Sequence, residues 1–177
     1  MIVLSTAGTL GDHLPFIALG QALQRRGHRV RAVLNPAMAE HAARAGLEVV
    51  ALPDIERGAE HARRNASAWD HWAQLEGGPT TIAAPDITFD DYVAQARTLA
   101  AACAGADLLI STSIRLLGYV AHHATGVPWL TASLNPSAFV APSADAAHAE
   151  QAARRAAGLG ALAAQLLAAL GAPAQPP

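Results

Sequence analysis

The run Ser5-Thr-Ala-Gly-Thr-Leu-Gly-Asp-His-Leu-Pro15 constrains this chain more than any other stretch. Before it stands Ile2-Val-Leu-Ser-Thr6, a short apolar segment of the kind a buried parallel strand requires. After it, Pro15 opens a segment in which Phe16, Ile17, Leu19 and Leu23 recur at helical spacing as far as Gly27. A strand, a turn with glycines and a helix, in that order, predict the first crossover of a doubly wound α/β domain. Ligands of such domains lie beyond the carboxyl ends of the strands, so this turn lines the crevice. Gly8 and Gly11 let the backbone bend sharply and approach a ligand, and the helix that follows offers free N–H groups to an anion. Asp12 stands at the helix start, where its carboxylate either caps the helix or faces the crevice as a base.

The alternation continues down the chain. Residues 29–34 predict a second strand, Asn35-Pro36 ends it and opens a helix through Ala45, and residues 47–52 form a third strand closed by Pro53. This spacing calls for a parallel sheet with right-handed crossovers. Residues 54–88 break the pattern, with Gly77-Gly78-Pro79, Pro85 and no sustained period, and predict an insertion of short helices. Its Trp69 and Trp72 share one helix face, and either pack on the core as a lid or line an apolar pocket. A helix over 89–104 capped by Thr88 or Asp90, a strand over 107–111, a helix over 115–125 and a strand over 128–133 follow. Thr112 and Ser113 leave the fourth strand, and Leu134-Asn-Pro-Ser-Ala-Phe139 leaves the fifth, all toward the same crevice edge.

From Ala144 the sequence becomes an alanine-rich helix with no charge between Ala156 and Pro177. Leu159, Leu162, Leu166, Leu167 and Leu170 give it an apolar stripe. Such a helix packs on its own sheet, covers a surface facing a second domain, or lies on a membrane. Alanine adds little to insertion and Gly158 and Gly160 weaken the helix, which argues against the membrane. The chain thus divides into a domain over 1–143, the helical segment 144–170 and a linker-like tail over 171–177.

Composition removes several function classes. The net charge is −2 with no basic cluster, which argues against a nucleic-acid partner. All 12 basic residues are arginine, which fits a GC-rich bacterial source. The single cysteine, Cys103, sits in an alanine-rich helical run and reads as a small core residue. No disulfide framework and no basic leader precede the first strand, so a reducing cytoplasm is expected. Eight histidines invite a metal, but His122 and His123 are adjacent on a helix, point about 100° apart and have no carboxylate or cysteine at ligand spacing; no metal is expected. Gly8-Thr-Leu-Gly11 is not Gly-x-Gly-x-x-Gly, and the second strand ends in Leu34-Asn35 without the acidic residue a ribose requires, which argues against a dinucleotide binder.

The run from Gly8 to Val30, Gly-Thr-Leu-Gly-Asp-His-Leu-Pro followed by a helix ending in Arg-Gly-His-Arg-Val, resembles the opening of glycosyltransferase family 28 and the sterol- and rhamnosyl-transferase-like enzymes of the GT-B fold. Weaker matches follow in residues 45–53, 106–111, 126–129 and 133–137. The resemblance implies a Rossmann-like doubly wound parallel sheet with helices on both faces, the N-terminal half of a GT-B fold. It implies that Asp12 is the general base that deprotonates an acceptor hydroxyl, and that the loop of Gly8, Thr9 and Gly11 approaches the donor phosphates. Loops at this edge surround the acceptor in the resembled family, which makes Thr112, Ser113, Asn135, Ser137 and Phe139 wall candidates, each explained equally well as turn chemistry. From the residues themselves, Trp69 and Trp72 are candidates for an apolar wall, and His13 beside Asp12 either orients an acceptor hydroxyl or tunes Asp12, or else points into the helix packing. The expected reaction is transfer of a hexosyl group from a nucleotide-sugar to an apolar lipid or natural-product alcohol, with no cofactor and no metal. The family holds the nucleotide-sugar in a glycine-rich C-terminal domain with no counterpart up to Pro177, so the expectation is an acceptor half that acts with a separate donor domain or subunit. The alternatives are a non-catalytic small-molecule-binding module and a truncated remnant of such an enzyme.

Overall fold

The computed structural model describes residues 1–6, 8, 10–53, 88–112, 116–134 and 146–172, with only the backbone of 146–156 in the last helix. Strands β1 (Ile2–Ser5), β2 (Val30–Leu34), β3 (Glu48–Ala51), β4 (Leu108–Thr112) and β5 (Trp129–Ala132) form one sheet in the order β3-β2-β1-β4-β5. Every pairing is parallel. The order reverses beside β1, which makes the end of that strand the switch point where a crevice opens. The α/β, Rossmann-like architecture read from the sequence is the one observed.

The helices are α1 (Leu10–Arg25), α2 (Pro36–Arg44), α3 (Phe89–Ala102), α4 (Leu116–Thr125) and α5 (Ala146–Ala169). Alternate strand residues feed two cores, one on each face of the sheet. Leu4, Ala32 and Leu34 meet Phe16 and Ile17 of α1 and Ala42 of α2 on one face. Val3, Val33 and Leu109 meet α3 and α4 on the other, through Val93, Ala96, Leu99, Leu117 and Val120. Cys103 lies in this second core, and burial pushes its thiol up to about 11 against the opposing pull of Arg31, so it is an inert core residue.

Two helix starts differ in how well the sequence announced them. At α3, Thr88 is the N-cap, and a capping box closes it: the Thr88 hydroxyl accepts from the Asp91 N–H while the Asp91 carboxylate accepts from the Thr88 N–H. At α1 the expected start at Pro15 is wrong by five residues, because the helix begins at Leu10 and carries Pro15 inside it. Proline removes the N–H that would have bonded the Gly11 carbonyl. Gly11 is exposed and has no side chain, so water reaches that carbonyl and the helix runs on.

Helix α5 settles on α3 and α4 rather than on the sheet itself. Ala163, Leu166 and Leu167 are buried there, and the Arg97 guanidinium donates to the Ala169 carbonyl at 3.2 Å. Leu159, on the same stripe, is 53% exposed, so the packed stretch starts after it. Among the described residues no helix is long and apolar enough to cross a membrane.

The β4–β5 end of the sheet carries a slot. Trp129 Nε1 donates to the Ser111 hydroxyl at 2.8 Å, and Gly118 of α4 leaves room for both groups. A Cβ on Gly118 would fall on that hydroxyl and 2.7 Å from the indole nitrogen. Gly118→Ala is therefore expected to destabilise the domain by about 1–3 kcal/mol, the usual cost of overpacking. Urea unfolding checks this; an unchanged midpoint would mean that the indole has another resting place.

Candidate active site

The site is built on the first turn of α1, at the carboxyl edge of β1. With Leu10 as the first helical residue, Asp12 is the third, so it is not the N-cap. A carboxylate there is favoured by the free N–H groups of the turn. Thr9-Leu-Gly-Asp12 repeats the Thr-x-x-Asp spacing that forms the box at Thr88–Asp91.

The carboxylate is folded back over the turn. Gly8 has φ 122°, and a Cβ added to it would lie 2.5 Å from Asp12 Oδ2 and 3.0 Å from Asp12 Cγ. Asp12 is partly exposed and lies in the first turn of α1. Beneath it, the fully buried Thr6 donates a long hydrogen bond, 3.4 Å, from its hydroxyl to the Asp12 carbonyl. Thr6 escaped the sequence reading; a hydroxyl two residues before a glycine turn is too common a pattern to mark it.

His13 is fully buried, on the side of α1 that faces the sheet. Thr112, the last residue of β4, is also buried, and its hydroxyl has no hydrogen-bond partner among the described residues. Such a group is satisfied by a water or by a polar atom of a ligand. The register that pairs Ser5 with Ser111 brings the ends of β1 and β4 side by side, so Gly8, Gly11, Asp12, His13 and Thr112 all belong to one edge of the sheet. Thr9, Trp69, Trp72, Ser113, Asn135, Ser137 and Phe139 lie outside the described residues.

Large apolar side chains are exposed along that same edge. Leu10 and Leu14 belong to the first turns of α1, Phe89 opens α3, and Leu134 follows β5; each is at least 40% exposed. Helices that run against the strands start at the strands' carboxyl ends, so these residues belong to that side of the sheet.

The histidine pair lies away from this edge, at the end of α4. The two rings approach to 4.7 Å between centroids, closer than adjacent helix positions led us to expect. The His122 Nδ1–H donates to the Val127 carbonyl at 2.6 Å. Among the described residues no three potential ligands gather around a metal position. Burial, with a smaller push from His122, lowers the His123 pKa. The folded state therefore resists a proton that the unfolded chain accepts near pH 6.5. Stability should be level above that range and fall as pH drops through it, and His123→Gln should flatten the fall in unfolding midpoints measured from pH 8 to pH 5.

Comparison with known proteins agrees with the fold. The model of the glycosyltransferase family 28 N-terminal domain matches residues 2–140. An uncharacterized glycosyltransferase of Mycobacterium leprae, ML2348, is 35% identical over 129 residues, which are 71% of this chain and 29% of that protein. The glycosyltransferase of kitacinnamycin superposes with a TM-score of 0.60 at 21% identity, over 99% of this chain and 42% of its own. SsfS6 of Streptomyces sp. SF2575, complexed with thymidine diphosphate, gives 0.56 at 21% identity, over 100% and 47%. The chain thus spans less than half the length of these relatives. A match across most of its residues, carried on the all-parallel sheet and the glycine turn, places it: the chain belongs to glycosyltransferase family 28, as its N-terminal domain.

Proposed function

We propose that this domain binds an apolar, hydroxyl-bearing acceptor and presents Asp12 as the general base that activates it for attack on a nucleotide-sugar. The observation that carries the reading is the Asp12 carboxylate, partly exposed and folded over Gly8 after β1, on the side of the sheet where Leu10, Leu14, Phe89 and Leu134 are exposed. Apolar walls with a few convergent polar groups are what a small-molecule site requires. A carboxylate is a weak base toward an alcohol, so Asp12 accepts the proton as the carbon–oxygen bond forms and the nucleoside diphosphate leaves. The first turn of α1 and the Gly8-Thr9-Gly11 loop supply N–H groups for the departing phosphate charge, without need of a metal. The Thr112 hydroxyl acts on the acceptor hydroxyl from the end of β4, and His13, fully buried on the sheet side of α1, steadies the turn that carries Asp12.

The relatives support the donor class. SsfS6 is known with thymidine diphosphate bound, which fits a nucleoside-diphosphate hexose held chiefly by the remainder of the enzyme. The lone buried thiol supports a cytoplasmic setting. Isothermal titration of the purified chain tests the division of labour. Lipophilic alcohols should bind, and nucleotide-sugars should bind weakly or not at all. Tight nucleotide-sugar binding with no alcohol binding would reverse the assignment.

A further inference from the structure

Six described glycines have positive φ: Gly8, Gly27, Gly46, Gly105, Gly126 and Gly171. At the last five, an added Cβ would meet nothing within 4 Å. They follow helices, where only the backbone conformation asks for glycine. Gly8 is different. Its φ of 122° lies outside the range of the other five, and the volume its Cβ would take is filled by the Asp12 carboxylate, with Oδ2 at 2.5 Å and Cγ at 3.0 Å.

We propose that Gly8 is a positioning residue whose missing Cβ is the seat of the Asp12 carboxylate, and that it thereby sets the direction in which the base points. The seat rests on geometry; its bearing on catalysis rests on the reading of Asp12 given above. The carboxylate cannot keep its place once Gly8 carries a methyl group, because a carboxylate oxygen and a carbon do not approach to 2.5 Å. It has to rotate to another staggered position, and the choices in a first helical turn are few. A residue four positions before the base thus controls it without touching the acceptor. This role is separate from the approach of the loop to donor phosphates, which needs glycine for backbone access only.

A double-mutant cycle on the purified chain tests the seat without any transfer assay. Gly8→Ala is made in the native and in the Asp12→Ala background, with Gly27→Ala in both as the control for a positive-φ glycine whose Cβ would meet nothing. The loss in urea midpoint caused by Gly8→Ala should shrink by roughly half or more when Asp12 is alanine. The loss caused by Gly27→Ala should be the same in both backgrounds. The side-chain carboxyl carbon resonance of Asp12 should move in Gly8→Ala and stay in place in Gly27→Ala, a readout that general loosening of the fold does not imitate. If Gly8→Ala does not fold in buffer, the cycle is run in trimethylamine N-oxide, which favours the compact state of every variant. Equal losses in both backgrounds or an unmoved resonance would overturn the proposal. Failure of the catalytic reading looks different: Asp12→Asn would keep transfer activity while the cycle still showed coupling.

Discussion

Asp12→Asn is expected to cut kcat for glycosyl transfer by about 10²–10⁴-fold in an enzyme that carries this domain together with its nucleotide-sugar domain. Asparagine has nearly the volume of aspartate, so it fits over Gly8 and leaves the turn in place. What it loses is the ability to take the acceptor proton. The loss corresponds to about 3–5 kcal/mol of transition-state stabilisation. KM for the acceptor should change little, because the exposed apolar side chains Leu10, Leu14, Phe89 and Leu134 are untouched. Product formation at saturating donor, measured with one apolar alcohol, decides the matter. A rate within a few-fold of the native enzyme would show that another group removes the proton.

Phe16→Ala should cost the domain about 3–5 kcal/mol. Phe16 is 2% exposed and packs with Leu4, Ile17 and Leu34 in the core under α1. It lies one helical turn beyond Asp12, so the same side chain that anchors α1 to the sheet also holds the site's first turn above β1. Domains are stable by about 5–15 kcal/mol in total, so this single change removes a large share. For a chain of this length the melting temperature should fall by roughly 6–20 °C. Weaker acceptor binding should accompany it at temperatures where the variant is still folded, since α1 loses its anchor. A melting temperature within about 2 °C of the native value would show that α1 is held by something other than this core.

The fold was legible because its signals are local. The strand of residues 2–5, the Asn35-Pro36 entry to α2 and the Thr88 cap of α3 each depend on a few neighbouring side chains. The start of α1 was misplaced for an equally local reason: proline at position 15 imitates the first residue of a helix, and the exposed Gly11 carbonyl that tolerates it carries no pattern of its own. The Thr-x-x-Asp spacing at residues 9–12 was the signal that pointed to the true beginning. Of the candidate site, the place of residue 12 after the first strand was readable. The use of Gly8 as the space for the carboxylate was not, because glycine at a turn has a sufficient backbone reason to be there.

By itself the sequence determined the order of strands and helices, the parallel sense of the sheet and the position of the glycine turn between β1 and α1. These follow from spacing within windows of a dozen residues. Only the tertiary structure decided that α5 lies on α3 and α4, that Trp129 drops into the space beside Gly118 to reach Ser111, and that His122 and His123 lean together. Those outcomes depend on which surfaces meet after the chain has closed on itself, and contacts between residues far apart in sequence leave no periodic trace in it.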